Sequence, residues 1–407
     1  MITWVFDSKK TGIGKYSKTA VEVLKKILDI KPVCEEKDFE KVLSSEIVIY
    51  NIGNSKSSLR VYHLMRKNPG IVILHDRTYH HFFAYYYREY LGRKDLYLKS
   101  LRILYGEDVA KKAEDYFRRG DLFWENKNSL LYPMRELIYP YSKAIIVHSE
   151  SFSKEIQKEY LGPILCVPFP FKIEKIKPKK IDFNKKLVLL SYGFLGRNRM
   201  IDEVIKAIGR NKKIRERVTY VIAGYVGDPL KKEVEQLIRE YDLEDTVKIL
   251  GFVSDKELKK LLSECFMCIN LRRFSTEVVS GSIFEQINAE KPVIVSNTGF
   301  FKEIPDNLVF KINSAEQLEE VLLKAITNPE DALIKAKKAK EYFKNIFFID
   351  SFREKLLNFI KNGSYNKTIF TSEILKECSN AISSLSKDLL SYTSTFIGEA
   401  LDILYYF

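Results

Sequence analysis

An α/β protein of two doubly wound domains is what this sequence predicts, on three observations. Short, β-branched apolar runs alternate with helical patterns in both halves of the chain. The alternation breaks once, at V-P-F-P-F near Pro168, and restarts at L-V-L-L-S-Y-G. At 407 residues the chain is long enough for two domains with full hydrophobic cores.

In the first half the strands are T-W-V-F-D, I-V-I-Y-N-I-G, I-V-I-L-H-D, A-I-I-V-H-S and I-L-C-V-P. They are short and bounded by turn or polar residues, as suits buried parallel strands. A glycine turn, T-G-I-G, joins the first strand to a helix from about Lys15 to Leu28. Domain one covers 1–167, with an aromatic helical insertion at about 77–141; a lysine-rich linker covers 168–186. In domain two, 187–345, strands L-V-L-L-S-Y-G, T-Y-V-I-A-G, V-K-I-L-G-F, F-M-C-I-N-L and P-V-I-V-S-N alternate with helices. A closing helix is expected at 346–362. The tail, 363–407, places Ile374, Cys378, Ile382, Leu385, Leu389, Phe396, Ala400 and Leu404 at helical spacing, so an amphipathic helical tail is expected there.

Composition narrows the class. Hydrophobic content of 45% and charge of 30% describe a soluble globular protein. No uninterrupted apolar stretch reaches the roughly 18 residues a membrane span needs, and Met1–Lys10 has no signal-peptide core, which points to the cytoplasm. The net charge of +13 favours anionic ligands such as nucleotides, anionic lipid or nucleic acid. Many of the lysines nonetheless sit in i,i+4 patterns with Glu, as in K-K-E-V-E-Q, and are solvated helix faces. Among the five cysteines, Cys265 and Cys268 form a C-x-x-C inside an apolar run without a second pair of ligands. Buried strand cysteines, rather than zinc or disulfides, are the reading.

The chemistry-bearing feature is Glu277 and Glu285, an E-x7-E at the turn from the strand ending near Leu271 into a helix opening S-G-S-I-F-E. An open α/β sheet binds ligands beyond the carboxyl ends of its strands, and a helix start offers free N–H groups to an anion. Carboxylates accept from hydroxyls, so a sugar nucleotide suits both. Ser282 and Glu285 also fit an S-x-x-E capping box, which would make Glu285 structural.

The string N-L-R-R-F-S-T-E-V-V-S-G-S-I-F-E-Q-I-N-A-E-K-P-V-I-V-S-N resembles the donor-site segment of family-4 retaining glycosyltransferases. The segments G-I-G-K-Y-S, L-H-D, H-H-F-F, I-L-Y-G-E-D and I-V-H-S-E are similar to the first domain of one branch of that family; Y-G-F-L-G-R-N-R-M-I-D is similar to the first strand and phosphate loop of its second. The resemblance implies the GT-B architecture, two Rossmann-like domains facing a central cleft, and covers all but about Asn362 to Phe407. Glu290 stands where the family usually has Gly.

By this resemblance Glu277 contacts donor-sugar hydroxyls near the reacting carbon and Glu285 receives the ribose hydroxyls. Arg199 takes the place of the phosphate-loop lysine, with Arg197 on the same loop, and a fixed cation there stabilises the leaving diphosphate. Ser280, Gly281 and Ser282 offer helix-start N–H groups to the same diphosphate, while Gly12 and Gly14 mark a turn where backbone approaches a ligand or takes positive φ. His75 contacts the donor sugar, and Asp76 shapes the loop or meets the acceptor; His80 and His81 are left out. No D-x-D occurs in the chain, so no metal or other cofactor is expected, and the sugar nucleotide is a substrate.

The implied partners are a UDP-, GDP- or ADP-sugar and a glycan or lipid-linked acceptor. The aromatic insertion is the candidate for peripheral contact with the inner membrane surface or for acceptor docking, set against a buried helical core. The tail, with three Lys against five Asp and Glu from Asn366 on, lacks the basic face of a membrane-surface helix and suits packing on the body or on a second copy. Three other readings compete. A dinucleotide oxidoreductase is prompted by G-x-G, but Ser17 stands where the third glycine belongs. That fingerprint also has no use for the second-domain E-x7-E, a nucleotide-sugar epimerase of the same architecture leaves the family resemblance unexplained, and a non-catalytic sugar-nucleotide or nucleic-acid binder completes the set, though nucleic acid is not the expected partner.

Overall fold

A computed structural model of the protein describes residues 1–7, 11–34, 39–173, 176–346, 349–363 and 365. The amphipathic tail expected over 363–407, and the subunit contact assigned to it, lie outside the described residues apart from 363 and 365.

Among the described residues two six-stranded sheets, all of whose strand pairs are parallel, organise the fold. In the first, β1 (Ile2–Val5), β2 (Ile30–Val33), β3 (Ile47–Ile52), β4 (Gly70–Leu74), β5 (Ser142–Val147) and β6 (Ile164–Cys166) run in the order β2-β1-β3-β4-β5-β6. Burial of both faces explains the unbroken apolar runs: all of β4, and β3 from Val48 on, are buried. The second sheet comprises β7 (Leu187–Phe194), β8 (Val218–Tyr225), β9 (Val247–Gly251), β10 (Met267–Asn270), β11 (Val293–Ser296) and β12 (Phe310–Ile312). Its order is β12-β11-β10-β7-β8-β9, so strand succession reverses between β7 and β10, the place where doubly wound sheets hold ligands.

The chain divides into two compact units that are not contiguous in sequence. The first takes Met1–Pro170, the short stretch Thr276–Val279 and the described residues from Ile349 on; the second takes Phe171–Ser275 and the described residues from Ser280 to Ile346. The stretch expected to be a linker is partly built into the second unit. There the Lys179 N–H donates to Ser263 O at 2.9 Å, and Ile181 and Phe183 pack on the core. The last described helix, Ile349–Lys361, buries Phe352, Leu356 and Ile360 in the first unit's core with Trp4, Tyr16 and Leu24.

The aromatic insertion is a core, not a surface. Tyr79, Phe82, Phe83, Tyr86, Tyr87, Tyr97 and Phe123 are all essentially inaccessible and join one apolar cluster. The rings that suggested a membrane or acceptor-docking face are therefore spent on packing, each burying on the order of 150–250 Å². His80 is part of this core: its Nε2 meets Tyr97 OH at 2.6 Å, and burial lowers its pKa to about 3. Among the described residues no helix is long and apolar enough to cross a membrane.

The glycine turn expected at Gly12 and Gly14 is instead the first turn of a helix, Gly12–Leu24. Thr11 caps it, its hydroxyl accepting from Gly14 N at 3.0 Å, and neither glycine has positive φ. The close approach belongs to Gly53 after β3, where an added Cβ would lie 2.2 Å from Ile13 Cδ1. Cys265 and Cys268 are buried, their sulfurs 3.8 Å apart.

Candidate active site

In the second unit the site is built on one asparagine at the switch point. Asn270 ends β10 with its amide buried; its Oδ1 accepts from Arg199 Nη1 at 3.2 Å and from Arg272 Nη1 at 2.8 Å. Its Nδ2 donates to Ser282 Oγ and to Gln286 Oε1, both at 3.0 Å, which fixes the amide orientation. Two guanidinium groups thus converge on one neutral oxygen beside the start of the helix Gly281–Asn288. Arg199 closes the turn after β7, on the one-turn helix Arg197–Arg199, with Met200 in the left-handed region at φ 55°.

Ser280 is the N-cap of the Gly281–Asn288 helix, yet its side chain makes no capping bond. Instead its hydroxyl lies 3.3 Å from Arg272 Nη2 and 3.0 Å from Ser282 Oγ. The Ser282–Glu285 capping box is not formed, because Ser282 is already inside the helix. Glu285 is held by β7: Tyr192 OH donates to its Oε2 at 3.0 Å and lies 3.1 Å from Ser282 O. Burial, and then the Glu285 charge, push the Tyr192 phenol well up, so it stays a proton donor.

Arg197 is placed differently from Arg199. It forms a two-nitrogen ion pair with Glu233, one bond at 2.7 Å, and is largely exposed. Arg273, adjacent to the buried Arg272, pairs with Asp202 and Glu203.

The other sequence-predicted residues gather at the end of β4 in the first unit. His75 and Asp76 follow β4 directly, and Thr276–Val279 lie against them as an added short pairing. Asp76 and Glu277 form an antiparallel bridge, Arg77 N donates to Thr276 O at 2.6 Å, and Val278 N donates to His75 O at 2.9 Å. Val278 is buried in the first unit's core. Glu277 and Glu285 therefore belong to different units, despite their spacing in sequence.

Protonation at this strand end follows from hydrogen bonding. Asn51 Nδ2 donates to Val5 O at 3.2 Å, which leaves Asn51 Oδ1 facing His75 Nε2 at 3.1 Å. Nε2 therefore carries the proton and Nδ1 the lone pair. Burial, reinforced by neighbouring His148, holds the His75 pKa well below the usual histidine range, so the ring is neutral. His148 donates from Nδ1 to Val167 O at 3.0 Å and accepts from Tyr16 OH at 2.9 Å; burial lowers its pKa to about 4. Asp76 is raised to about 7 by desolvation, opposed by the Asn54 N–H at 2.8 Å and assisted by the Glu277 charge.

Sequence reading missed Asn270, Arg272, Tyr192 and Asn51. The available signal was a polar residue within or at the end of an otherwise apolar strand: M-C-I-N for Asn270 and I-V-I-Y-N-I for Asn51. Lys291, in the A-E-K-P-V string, is buried and donates to Ser263 O at 3.0 Å and Cys265 O at 2.7 Å, carbonyls at the end of the helix Asp255–Glu264. It is a helix C-cap. Among the described residues no cluster of His, Cys, Asp and Glu could hold a metal ion.

Residues 172–345, which contain the Asn270 network, match the family model of glycosyl transferases group 1. An uncharacterized glycosyltransferase of Bacillus subtilis (strain 168), YqgM, is 26% identical over 167 residues. That match covers 40% of this chain and 45% of the relative, so less than half of the curated relative is spanned. Three solved structures share the fold of nearly the whole chain. HepE of Anabaena, in complex with UDP and glucose, has a TM-score of 0.60 at 13% identity and covers 89% of this chain and 99% of its own. Sucrose-phosphate synthase of Thermosynechococcus elongatus has a TM-score of 0.61 at 14% identity, with 89% and 98% covered. WaaG, a glycosyltransferase involved in lipopolysaccharide biosynthesis, has a TM-score of 0.56 at 14% identity, with 88% and 98% covered. The group 1 segment and its partner unit are thus the two Rossmann-like units of the GT-B fold.

Proposed function

We propose that the protein is a retaining, metal-independent glycosyltransferase that moves a sugar from a UDP-, GDP- or ADP-sugar to a hydroxyl of a glycan or lipid-linked acceptor. The observation that carries this reading is the Asn270 network: two arginines and a serine-lined helix start at a switch point, inside the group 1 segment. When the anomeric carbon–oxygen bond to the diphosphate breaks, negative charge grows on the departing phosphate oxygen. Arg199 and the N–H groups of Gly281 and Ser282 meet that charge, which is larger in the transition state than in the ground state.

The acceptor oxygen bonds to the anomeric carbon on the face the diphosphate leaves, and its proton passes to the leaving phosphate oxygen. Glu285, with one oxygen fixed by Tyr192, accepts from the ribose hydroxyls. Glu277 and the Nδ1 lone pair of His75 accept from donor-sugar hydroxyls, and Asp76 meets the acceptor. A net charge of +13 suits peripheral contact with an anionic membrane surface from the cytoplasm when the acceptor is lipid-linked.

The test is to incubate the protein with UDP-, GDP- and ADP-sugars and measure released nucleotide, with and without chelator, and to determine the product anomer. Release with at least one donor, undiminished in chelator and with the anomer retained, is expected. Absence of release and of thermal protection by all donors would overturn the reading; a strict metal requirement or an inverted product would overturn that part of it.

A further inference from the structure

Adjacent strands of the second sheet end in the same two-residue step, a glycine with positive φ followed by an exposed ring. On β7 it is Gly193 (φ 105°) and Phe194, which is 69% exposed; on β8 it is Gly224 (φ 148°) and Tyr225, which is 58% exposed. Gly193 pairs with Gly224 and Phe194 with Tyr225 in register. The two rings stack, with centroids 5.7 Å apart and planes 23° from parallel. Beside them β9 ends in Gly251 (φ 68°), and Phe252, 83% exposed, follows it.

This arrangement is costly to hold for no purpose. Large apolar rings left in water forfeit the burial that stabilises them elsewhere in this unit. The glycines are required: at Gly224 an added Cβ would lie 1.9 Å from Gly193 O. The pair stands at the carboxyl edge, where doubly wound sheets bind ligands. Phe194 is on the strand whose Tyr192 holds Glu285, and it enters the turn that carries Arg199. Two residues of strand span about 7 Å, and a nucleobase is attached directly to its ribose.

We infer that the Phe194–Tyr225 ring pair is the stacking platform for the donor's nucleobase, which extends the donor site beyond its ribose and diphosphate contacts. The inference rests on the donor reading of Glu285 and Arg199 above. Stacking uses the π-face that every base has, so the platform supplies affinity for the nucleoside and leaves the choice of base to edge contacts.

The test is calorimetric titration of the full chain with UDP, GDP, ADP and inorganic pyrophosphate. Phe194→Ala and Tyr225→Ala should each weaken the tightest nucleoside diphosphate by about 10-fold to 100-fold, the scale of one base–aromatic stack. Pyrophosphate binding should be unchanged, and Phe194→Trp should restore nucleotide affinity. Wild-type nucleotide affinity in both alanine variants, with Glu285→Ala impaired, would overturn the platform and leave the donor reading standing. An equal loss for pyrophosphate would also overturn it, since the rings would then be shaping the arginine turn. If the folded wild-type protein binds none of the three nucleotides, the donor reading fails and the platform fails with it.

Discussion

At the ends of β4 and β5 burial holds His75, Asp76 and His148 uncharged or close to neutralisation, whereas at the ends of β7 and β10 two guanidinium groups meet one amide oxygen. His75 and His148 are neutral because burial denies their charged forms water; Asp76 is pushed to about 7 for the same reason. Arg199 and Arg272 need no such tuning, since a guanidinium stays charged in any protein environment. Burial therefore withholds charge from His75, Asp76 and His148, while Asn270 positions the charges of Arg199 and Arg272. Under the proposed function, the neutral ring of His75 would accept from sugar hydroxyls and the Arg199 cation would meet a phosphate.

The strongest test of this contrast is Arg199→Ala beside Arg197→Ala. Loss of a donor aimed at developing charge typically costs about 100-fold to 1,000-fold in rate, so kcat for nucleotide release should fall on that scale in the first variant. Arg197, engaged with Glu233 at the surface, should cost no more than about 3-fold, the scale of an exposed ion pair. Equal losses would show that the loop acts as one charge.

Next in size is Glu285, the carboxylate proposed to hold the nucleotide. Glu285→Ala should raise the donor KM by about 10-fold to 100-fold with a smaller change in kcat, as expected when binding is lost from ground and transition states alike. Tyr192→Phe removes only the hydroxyl that fixes Glu285 and should raise KM about 5-fold, the value of roughly 1 kcal/mol.

Asp76→Asn probes the withheld charge in the first unit by stability. A carboxyl whose pKa is raised on folding stabilises the native state fully below its unfolded value near 4, and that contribution is lost as pH rises through about 7. Thermal melts should show the wild type losing ground to Asp76→Asn between pH 5 and pH 8; a constant difference across that range would refute a raised Asp76. His148 has the opposite sign, its neutral form stabilising above pH 6.5 and that contribution being lost as pH falls towards about 4.

The smallest effect concerns the second unit's backbone. Glu290 occupies the left-handed region at φ 54° just after the Gly281–Asn288 helix, with Lys340 Nζ 2.7 Å from its Oε1. Glu290→Gly should stabilise the protein by about 0.5 kcal/mol in denaturant unfolding, the relief of the left-handed cost less a half-exposed ion pair. Destabilisation would mean that the Lys340 contact outweighs the strain.

The inner strands were the most legible part of the molecule, since buried parallel strands are near-continuous apolar runs and I-V-I-L or V-I-V-S admit few other readings; the edge strands β2 (I-K-P-V) and β12 (F-K-I), short and broken by lysine, were missed. The helix Gly281–Asn288 was legible from its opening S-G-S. Gly12 and Gly14 were misplaced because G-x-G looks alike in a turn and in a helix start; the deciding group, the Thr11 hydroxyl, acts one residue earlier. Which of Arg197 and Arg199 turns inward depends on Glu233, a partner from a later helix that local pattern does not reveal. Nor does sequence spacing show that Val278 packs into the other unit's core while Ser282 stays in its own. The aromatic insertion was ambiguous because ring content is the same for a core and for an exposed docking face.

The helix Ile349–Lys361 seals the first unit around β1 and the Gly12–Leu24 helix. A ribosome releases β1 first and Phe352 only after the whole group 1 segment has emerged. The second unit's strands, from β7 to β12, are thus available to pair while the first unit still lacks part of its core. Order of synthesis and order of completion are inverted in this protein: the unit begun first is finished last.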